Sequence, residues 1–555
     1  MGYTMLMYKS IRSFFAALGR LYSWSFPATI LKAYHTHNNN PFKLLGWFWQ
    51  SNTFIAHGKL GARDQSSIVL LLLVALAQIG LGVWMLVQWA RFGSPGYLPF
   101  GIALLLSYPL VQIHMVALVG AVVWVTKEVA NPKKAVKNLL ALWMERHVAK
   151  LRKKHHFKVV AVAGSVGKTS TKLAVAELLG QSLRVRYQKG NYNDRLTVPL
   201  VFFGQTQPSL YNIFAWFRVI GEQSAQVHQP YEYDVVVVEI GTDGPGQIKQ
   251  FAYLKPDLTV VTAVTPEHMA YFGTIDAVAK EELTVFDFSK KVLVNADDIP
   301  GKYLAGKTFL EYSLTTNVAH NYFATSSNEQ VDGQRLTLDL PSGKIASKIA
   351  YAGTQGAKVA LAAASVADVL GVAPGDIQEG LSNLQPFAGR MQVLAGKKQC
   401  VLIDDTYNST PIAAKAALDV LYQAKAPQKI AILGSMNELG EYSKQAHEEV
   451  GAYCNSKTLD MVVTIGTDAK RWLAPQARAN GCVVHSFMNP KDAGQFVLKH
   501  LQEHAVVLAK GSQNGVFAEE ALKHLLAHPG DVDKLVRQKP YWIKLKKKQF
   551  KTGTL

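Results

Sequence analysis

Cysteine is nearly absent from the chain: Cys400, Cys454 and Cys482 are the only three in 555 residues. None stands in CxxC spacing, which excludes a disulfide framework or a zinc centre and makes a reducing compartment the simplest reading. Acidic residues are also few, 40 against 59 Lys and Arg, for a net charge of +19. Such an excess suits anionic lipid, phosphorylated substrates or nucleic acid, and charge alone does not choose among them. The basic residues gather beside apolar runs rather than among stacking aromatics, which argues against nucleic acid as a partner. The first long apolar run begins near residue 68 and has no small-residue cleavage context, so a signal peptide is not expected. There is no internal repeat and no low-complexity segment.

Long apolar runs are present. Ile68 to Ala90 and Tyr97 to Thr126 are separated by a short Arg-Phe-Gly-Ser-Pro-Gly turn, and about 20 apolar residues cross a bilayer core, so two membrane-spanning helices are expected over 68–126. A buried helical hairpin is the alternative. Seven basic residues from Lys9 to Arg63 precede the pair and nine from Lys127 to Lys154 follow it, with Arg91 alone between. The positive-inside rule then predicts a multi-pass protein of the cytoplasmic membrane, with both termini and the catalytic domains in the cytoplasm. Within residues 1–67, the basic stretch Tyr8 to Leu31 reads as an interfacial amphipathic helix or an ordinary soluble one. The basic tail, 536–555, carries the run Lys544 to Lys551, which could touch anionic lipid headgroups or remain solvated.

After a basic connector over 127–154, Val159 to Ala163 is an apolar strand running into Gly164-Ser165-Val166-Gly167, and Lys168-Thr169-Ser170-Thr171 opens a helix. Glycines let backbone N–H groups turn inward around phosphate oxygens, the helix N-terminus adds partial positive charge, Lys168 can reach the outer phosphates and Thr169 can ligate Mg²⁺. The strict P-loop also wants a glycine five positions before Gly167, where Val162 stands. The loop is a variant form.

Strands and helices alternate from there on, the signature of an α/β fold. Strands are predicted at 159–163, 235–239, 258–263 and 292–294, an edge hairpin at 334–343 and a helix at 361–370. A second α/β domain starts near residue 385, with strands at 400–405, 430–433, 461–465 and 505–509. Open α/β sheets place their ligands at strand ends. Glu239 ends one strand and His268 follows another by a short loop, so both are candidate metal or phosphate ligands.

These landmarks, in order, resemble the Mur ligases, ATP-dependent amide-forming enzymes of peptidoglycan precursor synthesis, and most closely the branch that adds D-alanyl-D-alanine. The motifs are Ala163 to Ser170; Gly190-Asn191-Tyr192-Asn193; Glu239-Ile240-Gly241; Pro266-Glu267-His268 with Phe272-Gly273; Asn295-Ala296-Asp297-Asp298; Gly389-Arg390; Ile403 to Asn408; Leu433 to Gly440; and Lys510-Gly511-Ser512. The resemblance implies a central ATP-binding domain over 155–384 and a Rossmann-like C-terminal domain over 385–535. It also implies that ATP phosphorylates a substrate carboxylate and that an amine then attacks the acyl phosphate. Gly164 to Ser170 would hold the phosphates, with Lys168 on the outer two; Thr169 and Glu239 would hold one Mg²⁺ and His268 would help hold a second. Asn295 would lie near the adenine, and Arg390 and Asp405 would complete the ATP site from the last domain.

Two departures stand out. The branch carries a carbamylated lysine nine residues after the Phe-Gly glycine, and Glu282 occupies that position here, so Glu282 is expected to supply the carboxylate to the second metal and to count with Lys168, Glu239 and His268 as catalytic. Lys280 as the carbamylated residue is the alternative. The second departure is the apolar pair in place of a UDP-gripping domain, which leaves open a UDP-linked muropeptide, a lipid-linked one or another carboxylate as acceptor, with an amino acid or dipeptide as amine donor. The nearest activity is D-alanyl-D-alanine addition to a UDP-muramoyl tripeptide. An amidating subunit is a second possibility; lacking a glutaminase Cys-His pair, it would need a separate amidotransferase partner. A membrane-bound ATP-driven switch is the reading from another class.

Overall fold

The structure, a computed structural model, describes residues 65–93, 97–106, 132–210, 212–315, 321–513 and 515–551. The expected helix over Tyr8 to Leu31 lies outside them, as does most of the second apolar run. The chain divides into two units, 1–139 and 140–555. In the first, helices α1 (Gln65–Phe92) and α2 (Tyr97–Leu106) approach closely at two glycines: a Cβ on Gly101 would lie 3.2 Å from the Gly82 carbonyl oxygen. The Gln78 amide donates to the Leu104 carbonyl at 2.7 Å, while Leu76, Leu81 and Trp84 stay exposed. Among the described residues no helix is long and apolar enough to cross a membrane. That finding corrects the expected two-span hairpin and the multi-pass membrane placement built on it. The second run is a described helix for only ten residues, about 15 Å against a hydrocarbon core of about 30 Å.

The described part of the basic connector is itself a helix, α3 (Pro132–Lys154), which the second unit takes up from Leu140. Leu140, Met144, Val148 and Leu151 recur every three or four residues and are buried, the stripe by which an otherwise basic helix docks. Arg152 fixes its end, 2.9 Å from the Asp257 carboxylate.

The first sheet contains β1 (Lys158–Ala163), β2 (Val185–Arg186), β3 (Val235–Glu239), β4 (Leu258–Val261), β5 (Val292–Asn295), β6 (Leu310–Ser313), β7 (Tyr322–Gln330), β8 (Gly333–Leu340) and β9 (Gly343–Ile349). Their order is β2-β3-β1-β4-β5-β6-β7-β8-β9, parallel as far as β7 and antiparallel beyond. Continuous apolar runs suit the parallel strands because both faces are covered; α4 (Lys168–Leu179) and α6 (Gly353–Val369) pack on one face, while α3 and α5 (Ile275–Glu282) join the other. The alternating β8, with exposed Arg335, Thr337 and Asp339, forms the expected hairpin with β9 at the sheet's edge. Strand β1 lies between β3 and β4, so the chain leaves it in one direction and returns on the other side. This is the switch point at which such sheets bind ligands beyond their carboxyl ends.

The second sheet holds β10 (Gln392–Ala395), β11 (Val401–Asp405), β12 (Lys429–Gly434), β13 (Met461–Ile465), β14 (Val484–Phe487) and β15 (Val506–Lys510). Its order is β10-β11-β15-β12-β13-β14, with only β10 antiparallel. Helix α7 (Pro411–Gln423) follows β11, capped by the Thr410 hydroxyl. The basic tail is neither a loose solvated end nor wholly exposed: it forms α8 (Pro540–Lys551), with Lys546 buried and Trp542 and Phe550 edge-on to Phe517.

Candidate active site

Beyond β1 the backbone turns through two glycines in the left-handed region, Gly164 at φ +115° and Gly167 at φ +87°. At Gly164 the turn also needs space, since a Cβ would lie 2.5 Å from the Thr262 hydroxyl. The Thr262 hydroxyl in turn donates to the Val166 carbonyl at 2.6 Å, and the Ser165 N–H donates to the Ala263 carbonyl at 2.9 Å. The loop is thus fastened to β4 and ends at the α4 N-terminus with its free amides beside Lys168. A helix start of this kind is a ready anion site.

Lys168 sits amid carboxylates. Its Nζ is 3.2 Å from Glu267, and although burial pushes the ammonium's pKa down, Glu267, Glu282 and Glu239 together raise it above the ordinary value. One turn on, Lys172 is almost wholly buried, 3.2 Å from Glu239, and donates to the Gly190 carbonyl at 2.9 Å. Glu239 also accepts from Asn193 at 3.1 Å and from the Thr169 hydroxyl. Burial raises its pKa, but Lys172 and Lys168 outweigh that and hold it below the usual carboxylate value.

His268 adopts a left-handed conformation, φ +47°, that turns its ring into the cluster. Nε2 is 3.2 Å from Glu267 and Nδ1 is 3.4 Å from Glu438 of the second sheet's domain. The bond to Glu267 is the main reason its pKa is raised. Glu438, itself at φ +66°, closes this contact from the other side.

Two expected placements change. Glu282 does not line the cavity: its carboxylate accepts from the Gly164 N–H at 2.8 Å, behind the phosphate loop, where burial pushes its pKa up to about 7 against the pull of Lys168. Lys280, the alternative, is on the exposed face of α5 and is removed as a candidate by its direction. Asn295 is buried and does not face the cavity, because its amide donates to the Thr262 carbonyl at 2.9 Å and to Asp298 at 2.8 Å while its oxygen accepts from the Asp297 N–H. Every polar atom it has is committed to holding the end of β5. Among the described residues no group of three or more His, Cys, Asp or Glu is placed to hold a metal ion.

Arg390 and Asp405 do reach the site. The Arg390 guanidinium stacks 4.2 Å from the Tyr407 ring centre, and Asp405 pairs with buried Lys510 at 2.8 Å. Tyr407 also bonds Asn191, joining the β11–α7 loop to the segment held by Lys172. The result is a cavity of about 380 Å³ lined by Ser165 to Ser170, Glu239 and His268 together with Arg390, Asp405 and Tyr407. A second, mostly apolar wall is formed by Ala413, Ala417 and Val420 of α7 with Tyr351 and Val359. Sequence reasoning missed Lys172, Glu267, Tyr407 and Lys510 as individual site residues, though all but Lys172 stand inside or beside quoted motifs.

Two family descriptions match the chain: "Mur ligase middle domain" over residues 162–367 and "Mur ligase, glutamate ligase domain" over 389–513. Together they take in more than half of it and all of the cavity's charged residues. The chain belongs to the Mur ligase family. Among curated Mur ligases, the UDP-N-acetylmuramoyl-tripeptide--D-alanyl-D-alanine ligase of Escherichia coli K12 is 27% identical over 391 residues, 68% of this chain and 78% of that one. The ligase of the same name from Bacillus subtilis 168 is 26% identical over 385 residues, 67% and 76% of the two chains. In fold, this Mur ligase is similar to MurF from Acinetobacter baumannii, with TM-score 0.57 at 23% identity over 69% of this chain and 79% of that one. It is likewise similar to MurF from Thermotoga maritima in complex with ADP, with TM-score 0.56 at 21% identity over 70% and 83%.

Proposed function

We propose that this Mur ligase, an ATP-dependent acid–amine ligase of peptidoglycan precursor synthesis, adds D-alanyl-D-alanine to a UDP-linked muramoyl tripeptide. The observation that carries the reading is the joining of a P-loop variant, a carboxylate–lysine cluster and an arginine–aspartate pair in one cavity, in a chain whose curated relatives bear that name. Loop amides 166–168 and the Lys168 ammonium receive the nucleotide's phosphates, while those of Gly164 and Ser165 are held by Glu282 and the Ala263 carbonyl; charge gathering on the transferred phosphoryl group is met by groups already in place. Arg390 lines the same cavity, available to meet the nucleotide or the acyl phosphate, and Tyr407 holds its guanidinium flat.

The donor set fits Mg²⁺. Glu239 Oε2 has the Lys172 ammonium as its neighbour and no hydrogen bond, and Glu267 Oε2 is buried without one. Thr169 with Glu239 would hold one ion, and His268 with Glu267 would contribute toward a second, neutralising phosphate charge when bound. Glu282 serves this reading from behind, as an acceptor that fixes the Gly164 amide and, when ionised, adds to the field on Lys168. No carbamylated lysine is then required, so turnover is expected to be the same in CO₂-depleted and bicarbonate-supplemented buffer. Glu282→Gln should lower kcat/KM for ATP by about tenfold, one charge-assisted hydrogen bond's worth. Turnover that rises with bicarbonate would reinstate a carbamate.

The deciding experiment is phosphate release by the full chain with ATP and Mg²⁺, adding D-alanyl-D-alanine with either a UDP-linked or a lipid-linked muropeptide. Turnover that needs both the dipeptide and the UDP-linked acceptor supports the proposal. Turnover only with the lipid-linked acceptor would move the substrate, and turnover with neither would favour an ATP-driven switch.

A further inference from the structure

The family match ends at residue 513, yet the chain continues into a buried ion cluster directly behind the cavity. Arg537, in the left-handed region at φ +58°, donates through Nε and Nη2 to both oxygens of fully buried Glu519, each at 2.8 Å. The same guanidinium donates to the Tyr407 carbonyl at 2.9 Å and to the Thr406 carbonyl at 2.6 Å. Lys546 of α8 completes the cluster, 2.8 Å from Glu519 and 2.7 Å from Glu520, and donates to the Arg537 carbonyl at 3.0 Å. Phe517 lies beneath both cations.

Few loops are held by so costly a device. Burying an arginine requires a carboxylate in good geometry, and here the pair leaves two guanidinium N–H groups for successive carbonyls of the β11–α7 loop. Those carbonyls flank the residue whose ring carries Arg390 at 4.2 Å on its cavity side, while the Arg537 guanidinium stands 5.8 Å from the same ring. Gly389 sharpens the fit, since a Cβ there would meet Val536 at 2.7 Å and the Tyr407 nitrogen at 3.0 Å.

We propose that Arg537 is a positioning residue for the nucleotide site: the tail beyond the matched domains sets the Thr406–Tyr407 backbone and, through Tyr407, the reach of Arg390. This rests on the reading of the cavity as a nucleotide site. Lysine cannot replace it, because a point ammonium does not span a carboxylate and two carbonyls in one plane.

The test uses the full chain and a non-hydrolysable ATP analogue, measuring affinity by calorimetry and Tm in parallel. Arg537→Lys should weaken analogue binding about tenfold or more, since a displacement near 1 Å in such a site is enough. Lys546→Met, which loosens α8 but leaves the Thr406 and Tyr407 contacts, should lower Tm while binding the analogue as the wild type does. Wild-type affinity in Arg537→Lys, or equal losses in both variants, would overturn the proposal. A wild-type chain that bound no analogue would overturn the nucleotide reading itself, a distinct outcome because no variant would then differ from it.

Discussion

Lys172→Met unfolds at lower denaturant than the wild type by about 3–5 kcal/mol, the cost of leaving a buried carboxylate without its cation. Lys172 and Glu239 are each 2% exposed at the side chain and 3.2 Å apart, so the survivor is poorly solvated. The same change frees the Gly190 carbonyl, which loosens the Asn191–Asn193 segment at the cavity wall. The decisive variant is the double one, Lys172→Met with Glu239→Leu. With neither charge present, much of the lost stability should return, as it does when buried pairs are exchanged for apolar side chains. ATP turnover should not return, because the carboxylate that the Thr169 hydroxyl bonds is gone. Urea titration and phosphate release on the same samples separate the two effects, and recovered turnover in the double variant would show that Glu239 has no part in the chemistry.

Four residues earlier on the same helix, the balance reverses. Lys168→Met should lower kcat by a factor of about 10³ or more, the scale at which a single cation acts on a transferring phosphoryl group. Its loss of stability should be smaller than that of Lys172→Met, because Lys168 opens onto the cavity, is 11% exposed at the side chain, and its paired carboxylate, Glu267, is 16% exposed and within reach of water and counter-ions. The pair of variants therefore distinguishes a lysine that supports the fold from one that serves the reaction. Equal destabilisation with little change in kcat would remove Lys168 from the phosphate site.

What was legible in the chain follows the range of the interaction. The strand–loop–helix of Val159 to Leu179 is written in consecutive residues: a β-branched run, two glycines that supply left-handed φ, and a Lys-Thr start. Glu239 was legible because it is the last residue of a buried parallel strand, where the fold places ligands whatever the details; Asp405, also a strand's last residue, was reached through the family resemblance. The charge partners were not. Lys172 finds Glu239 across 67 positions, Lys510 finds Asp405 across 105, and Arg537 reaches Thr406 across 131; no local pattern encodes which of several lysines or arginines turns inward. Asn295 shows the opposite failure. The family resemblance placed it near the adenine, yet Thr262, Asp297 and Asp298 absorb its side-chain polar atoms. The apolar runs near the N-terminus were read from hydropathy and length, and the described helices do not bear out a two-span hairpin.

The walls of the cavity come from two sheets that share no strand, with Lys168 and Glu239 on one and Arg390 and Asp405 on the other. Whatever fills it is therefore a clasp as well as a reactant. A nucleotide at a hundred times its dissociation constant adds about 2.7 kcal/mol against any opening that pulls the halves apart, comparable to the gain from an engineered disulfide, yet reversible within one turnover.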